Sequence, residues 1–463
     1  MNKIKINKPV PMGCASVFSY KSMKILTLAV FISIQLINVS ALDCYYSTEC
    51  KYKYFSSKTP YENVRGDIRD TIIKESGCEP VSVWAMMRHG KRNPGVRFAK
   101  NIKDILILKE SIINSFENGN SLLCAQDIDN LSKWEVNQDM LEKPNKITSE
   151  GYLELLRLAR RMTEALPELF NELQHGDTLF VPGFGKRLQE SAESFVEGLG
   201  NNKLEIKDAQ NNYSIAAPYA SCGKFRTEHF NNRNIFQQVE AYLKTPDALN
   251  MKDRVERKLG LNVTLSFNDV IAMYDVCRYT WDGIGNKPSP WCAVFSTEDL
   301  KVHEYIGDLE HYYRNGYGTE YSKLFGKIAL ADMLDNFEQT KNGKGKKLVS
   351  YFTHASMLDM ILVALNLNKD ATPLLGAHRD LNRKWRTTFI STFGANMIAV
   401  LNRCQIEGQN KYDHKVAFYW NEEPLLEICK QGVCSWEEIE TIFKPFLNVT
   451  TDFCEYKWTI IDE

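Results

Sequence analysis

Arg88-His89-Gly90-Lys91-Arg92-Asn93-Pro94 sets one imidazole between two guanidinium groups, directly after the apolar run 81–87. An imidazole in that company is suited to attack phosphorus. Guanidinium forks match phosphate oxygens and stay charged at any working pH. They also disfavour a proton on the ring, so His89 is expected to be neutral and nucleophilic near or below its ordinary value of about 6.5.

Two further segments repeat the layout of a short apolar run, a polar turn and a helical pattern. Thr178-Leu179-Phe180-Val181 leads through Pro182-Gly183-Phe184-Gly185 to Arg187 and a helix over 187–199. The run 348–352 leads to His354 and an apolar helical stretch over 357–365. Strand, turn and helix in that order predict an α/β fold with a mixed, mostly parallel sheet flanked by helices. Open sheets of this kind bind ligands beyond the carboxyl ends of their strands, so the three turns should share one edge. Arg187 could then reach the phosphate held at Arg88 and Arg92, and His354 could donate a hydrogen bond to a phosphoryl oxygen. Lys91 and Lys186 are weaker contacts for a substrate's other phosphates. The remaining histidines, 175, 229, 303, 311, 378 and 414, have no comparable neighbours and read as structural or surface groups.

Helical periodicity over 150–170, and again within 235–260, 267–277 and 297–337, predicts a mainly helical cap. The expected division is an α/β domain of 42–215 and 338–463 with a cap of 216–337. Before it, Lys21 and Lys24 precede a nearly continuous apolar run, 25–37, and then Val39-Ser40-Ala41. That is the pattern of a secretory signal over 1–41, too short to span a bilayer comfortably. The chain carries a formal charge of −1, and loss of the five leader lysines takes it to −6. No basic field for nucleic acid results, and no membrane attachment is expected after signal removal.

Twelve cysteines suit an oxidising compartment. Cys14 lies in the leader, and the odd number left implies a free thiol or an intermolecular bridge. Cys277 with Cys292, and Cys429 with Cys434, are close enough to propose as local bridges, though crossed pairings remain open. Without a CxxC pair, zinc is not expected. Asn130, Asn212, Asn262 and Asn448 are glycosylation acceptors, which supports a secreted or lumenal protein.

Arg88-His89-Gly90-x-Arg92-x-Pro94 resembles the signature of the histidine acid phosphatase branch of the histidine phosphatases. More narrowly, residues 44–455 resemble multiple inositol polyphosphate phosphatases, notably at Ser289-Pro290-Trp291-Cys292 and Tyr313 to Gly318. The resemblance implies a two-step, metal-free and cofactor-free hydrolysis of a small phosphorylated substrate. His89 forms a phosphohistidine, and Arg88, Arg92, Arg187 and His354 hold the phosphoryl oxygens. Inositol hexakisphosphate, lower inositol phosphates and 2,3-bisphosphoglycerate are the implied substrates. A broad acid phosphatase and a weakly active polyphosphate-binding protein are the alternatives.

One position departs. The family usually reads His-Ala-Glu or His-Asp at the third turn, with the acid protonating the leaving oxygen. This chain reads His354-Ala355-Ser356. Serine is no acid near neutrality, and losing a general acid costs about 10²–10⁴-fold. Asp359, one helical turn on, or a neighbouring substrate phosphate could supply the proton; otherwise turnover is slow.

Overall fold

A computed structural model describes residues 54–201, 204–209, 214–281 and 288–459. The expected leader, 1–41, and Asn212 lie outside these residues. Seven strands form one sheet: β1 (Cys78–Arg88), β2 (Thr178–Pro182), β3 (Leu348–Thr353), β4 (Asn396–Gln405), β5 (Tyr412–Trp420), β6 (Glu423–Pro424) and β7 (Val433–Ser435). The order is β2-β3-β1-β4-β5-β6, with β7 also on β5. The sheet is mixed, as expected, but its parallel part is smaller than the three strand-turn-helix segments suggested. Only β2, β3 and β1 run parallel; every ladder from β1·β4 onward is antiparallel. β4 and β5 form a hairpin closed by the short 406–411 connection, which needs no crossover helix.

Side chains alternate between the two faces of the sheet. Trp84, Met86, Val349, Tyr351 and Met397 enter one core, and Val83, Ala85, Met87, Leu348 and Phe352 the other. β1 is covered on both sides, which explains its apolar run from Val83 to Met87. The Ser149–Ala165 and Lys186–Gly198 helices supply Leu155, Leu158, Met162 and Phe195 to the second core. The Tyr321–Lys341 and Ala355–Ala364 helices line the first with Phe325, Leu330, Leu358 and Ile361.

The long helical reading over 297–337 resolves into two helices, Thr297–Asn315 and Tyr321–Lys341. Gly316 and Gly318 sit at the break, and a Cβ on either would collide with Tyr312 or Tyr313. Capping boxes start the Phe267–Thr280 helix at Ser266/Asp269 and the Thr297–Asn315 helix at Ser296/Asp299. Helices of 96–142 join this helical layer through the ring pairs Phe98–Tyr279 and Trp134–Trp291.

Both proposed local bridges form, Cys277–Cys292 and Cys429–Cys434. Cys78–Cys404 and Cys222–Cys454 cross long stretches of chain. No described cysteine is free. Among the described residues no helix is long and apolar enough to cross a membrane.

Candidate active site

β1 ends at Arg88, and its ladders continue into the signature. The Arg88 N–H donates to the Ala395 carbonyl, the His89 N–H to Thr353, and the Gly394 N–H to the His89 carbonyl. His89 is thereby fixed between the strand that delivers His354 and the segment entering β4. Its Nδ1 lies 2.8 Å from the Gly90 carbonyl oxygen. A carbonyl can only accept, so Nδ1 carries the proton and Nε2 keeps its lone pair. Burial, then Arg88, Arg187, Arg92 and His354, hold the His89 imidazole well below its ordinary value. The arginines act in the expected direction, but burial is the larger cause.

His354 stands in extended geometry immediately before the Ala355–Ala364 helix. Its ring meets that of His89 edge-on, with centroids 5.6 Å apart. Burial, then Arg187, Arg92 and Arg88, keep it neutral too. The three expected guanidinium groups therefore act on both imidazoles. Arg88 lies 4.5 Å over the Phe393 ring and donates to the Ser57 and Ser391 carbonyls. Burial and Arg92 pull its guanidinium down to about 9, still charged at neutral pH. Arg92 donates to the Asn93 carbonyl, while its Nε has no hydrogen-bond partner. Arg187 is the second residue of the Lys186–Gly198 helix, which follows Gly185, whose φ of +117° is accessible to glycine and strained for other residues.

The loop itself is held from outside the pocket. Gly90 and Gly151 face each other so closely that a Cβ on Gly90 would strike the Gly151 backbone, and one on Gly151 the Lys91 backbone. Glu154, buried, accepts the Lys91 N–H at 2.7 Å. The Lys91 ammonium is spent on Glu150 and the Trp281 carbonyl. Lys186 is exposed and 3.8 Å from Glu190. The leading charges acting on the two histidines are those of the three arginines, not of these lysines.

Two cations not singled out in the sequence join the arginines. Burial, then Arg278, Arg88 and Arg92, depress the Lys58 ammonium well below its usual value, against the opposing pull of Glu310. Arg278 is paired with Asp275 and lies 4.7 Å over the Tyr274 ring. No local pattern announces either residue, because both reach the site only when the 3-10 turn at Ser56–Lys58 and the Phe267–Thr280 helix pack beside β1's end. A pocket of this sign attracts anions and repels metal cations.

The leaving-group position is different. Ser356 is half-buried in the first turn of its helix. Asp359 is fully buried, and its Oδ2 accepts from His311 Nδ1 at 2.7 Å. His311, read from the sequence as having no comparable neighbour, has this one.

Residues 81–419 match the family model of the histidine phosphatase superfamily, branch 2. The chain belongs to that superfamily. It is 27% identical to multiple inositol polyphosphate phosphatase 1 of Drosophila melanogaster, over 86% of each chain. Identity to the Homo sapiens protein of that name is 26%, over 87% of this chain and 88% of the other. The fold resembles the crystal structure of the phytase from D. castellii, with a TM-score of 0.67 and 16% identity over 89% of each chain. It also resembles the Bifidobacterium longum multiple inositol polyphosphate phosphatase in its apo form, with a TM-score of 0.62 and 13% identity over 80% of this chain and 92% of that one.

Proposed function

We propose that this chain is a phosphomonoesterase acting on inositol polyphosphates through a phosphohistidine on His89. The observation that carries the reading is the tautomer. Nδ1–H is committed to the Gly90 carbonyl, so the Nε2 lone pair is left to attack a phosphoryl group, which Arg88, Arg92 and Arg187, all acting on this ring, would hold. In the first step Nε2 bonds to phosphorus as the ester P–O bond breaks. In the second, water attacks phosphorus, the P–N bond breaks, and the electron pair returns to Nε2. His354 donates to a phosphoryl oxygen where negative charge builds up, the kind of fixed donor worth about 10²–10³-fold in rate.

A polyphosphorylated substrate is favoured because Lys58 and Arg278 add hydrogen-bond donors beyond the three guanidinium groups that one phosphoryl group needs. The names of the relatives that match most of the chain support the same reading. The test is phosphate release from inositol hexakisphosphate. His89→Ala should abolish it, and undiminished release by that variant would refute the mechanism. Ser356 favours one competing reading, a polyphosphate-binding protein with little turnover; tight binding without phosphate release by the intact protein would establish that instead.

We also place the protein in a secretory or lumenal compartment. The bridges support this, as do exposed side chains at Asn130, Asn262 and Asn448. A mass shift on endoglycosidase treatment of the expressed protein tests it.

A further inference from the structure

We infer that His311, oriented by Asp359, is the acid that protonates the leaving group, in the role Ser356 cannot fill. The inference rests on the phosphohistidine reading above. Asp359 is an unsuitable direct donor, since its carboxylate is fully buried and turned to another residue. Its Oδ2 accepts the His311 Nδ1–H at 2.7 Å, while Oδ1 is buried without a partner. A buried carboxylate on one ring nitrogen fixes the tautomer and leaves Nε2 to exchange protons with a substrate. The His311 side chain keeps 13% of its surface, so the ring is not sealed in as Asp359 is.

Helix packing brings this helix toward the site through the 3-10 turn whose Ser57 carbonyl accepts Arg88. On the Thr297–Asn315 helix, Gly307 abuts Ser56 of the 3-10 turn, and His311 lies one turn further along the same face. Beside it, burial pushes the Glu310 carboxyl up, but Arg314, His311, Lys58 and Arg278 outweigh burial and hold it below the usual range. Lys58 is within the field of Arg88 and Arg92, and the Asp359 charge acts on Arg88. Asp359 of the Ala355–Ala364 helix is thus the partner of His311, with Glu310 and Arg314 on its own helix, Lys58 of the 3-10 turn acting on Glu310, and Arg88 at the end of β1 feeling the Asp359 charge.

The proton balance closes over one turnover. The imidazolium gives its Nε2 proton to the leaving oxygen as the P–O bond breaks and becomes neutral imidazole with Nδ1–H still on Asp359. In the second step Nε2 takes a proton from the attacking water, the P–N bond breaks, and the imidazolium is restored.

The experiment compares inositol hexakisphosphate, whose alkoxide leaving groups need a proton, with p-nitrophenyl phosphate, whose phenolate does not. His311→Ala should slow the first by at least ~10²-fold and the second far less. Equal losses on the two substrates, or none on either, would overturn the dyad. Residual turnover of p-nitrophenyl phosphate shows that the variant is folded. Asp359→Asn provides the second readout: with the carboxylate that orients the ring gone, kcat on inositol hexakisphosphate should fall with KM little changed, and p-nitrophenyl phosphate turnover should be largely kept. An unchanged kcat on inositol hexakisphosphate would count against the positioning role. His311→Ala in combination with Ser356→Glu should regain much of the lost rate if the two positions serve one function; no gain counts against it. Failure of the underlying reading looks different, since His89→Ala would then stay active on both substrates.

Discussion

Replacing Gly151 by alanine tests how the signature loop is held. An ideal Cβ at this position would lie against the Lys91 carbonyl group, 2.7 Å from its carbon and closer still to its oxygen, where ordinary contact begins at 3.4 Å. The obstacle is backbone on both sides, because Gly151 belongs to the first turn of a helix capped by Thr148 and Lys91 follows directly on the catalytic histidine and Gly90. Relief of the clash therefore needs a shift of roughly 1 Å in the loop, of the size that costs about 10²-fold in rate when catalytic groups are misplaced. Overpacking of this kind also destabilises by about 1–3 kcal/mol. Gly151→Ala should accordingly lower phosphate release about 10²-fold and shift the thermal midpoint by only a few degrees. Gly176→Ala, where a Cβ meets nothing within 4 Å, is the control and should match the parent. The assay is initial-rate phosphate release at saturating substrate, paired with a melting curve. Parental kcat and an unchanged midpoint in Gly151→Ala would refute the claim that this glycine contact positions His89.

Glu422 is fully buried, accepts Arg161 at both carboxylate oxygens and takes the Tyr61 hydroxyl at 2.7 Å. Glu422→Ala leaves that guanidinium only its longer contact to Glu62, at 3.9 Å, and should cost about 3–5 kcal/mol, whereas Arg161→Met with Glu422→Leu should recover most of the loss in thermal or denaturant unfolding. The two site histidines give a pH signature. Both are held below their ordinary value, so the folded chain binds fewer protons than the unfolded one as pH falls below about 6.5. Stability present above that pH is lost as it falls, by at most about 2.7 kcal/mol per pH unit for two protons. His354→Gln should roughly halve this part of the acid sensitivity, and identical pH–stability slopes in parent and variant would argue against the assignment.

Much of the site was legible because its signals are local. An apolar run, a turn and an imidazole or arginine recur at Arg88, Arg187 and His354, and elementary α/β geometry brings those turns to one edge. What the sequence hid depends on how distant segments cross. Lys58 lies in a short polar stretch with no motif, and Arg278 looks like any charge on an amphipathic helix. His311 gains meaning only from Asp359, 48 residues away on a second helix. The antiparallel half of the sheet was missed for a related reason. β4 and β5 are mostly buried, so they lack the alternation that marks a half-exposed hairpin.

The cross-strand bridge of Cys78 with Cys404 lies at the opposite end of β1 from the chemistry. Because Val83 to Met87 are buried on both faces, hydrophobic patterning alone does not stop β1 from sliding against β4. A slip of one residue would turn His89 to the wrong side of the sheet, and a slip of two would carry it nearly 7 Å along the strand, by about 3.4 Å per residue. The covalent link and the adjoining register shift at Pro80/Ser82 exclude both movements. They act as a distant anchor for the nucleophile, so reduction of this bridge should blur the alignment of the catalytic edge before it dissolves the core.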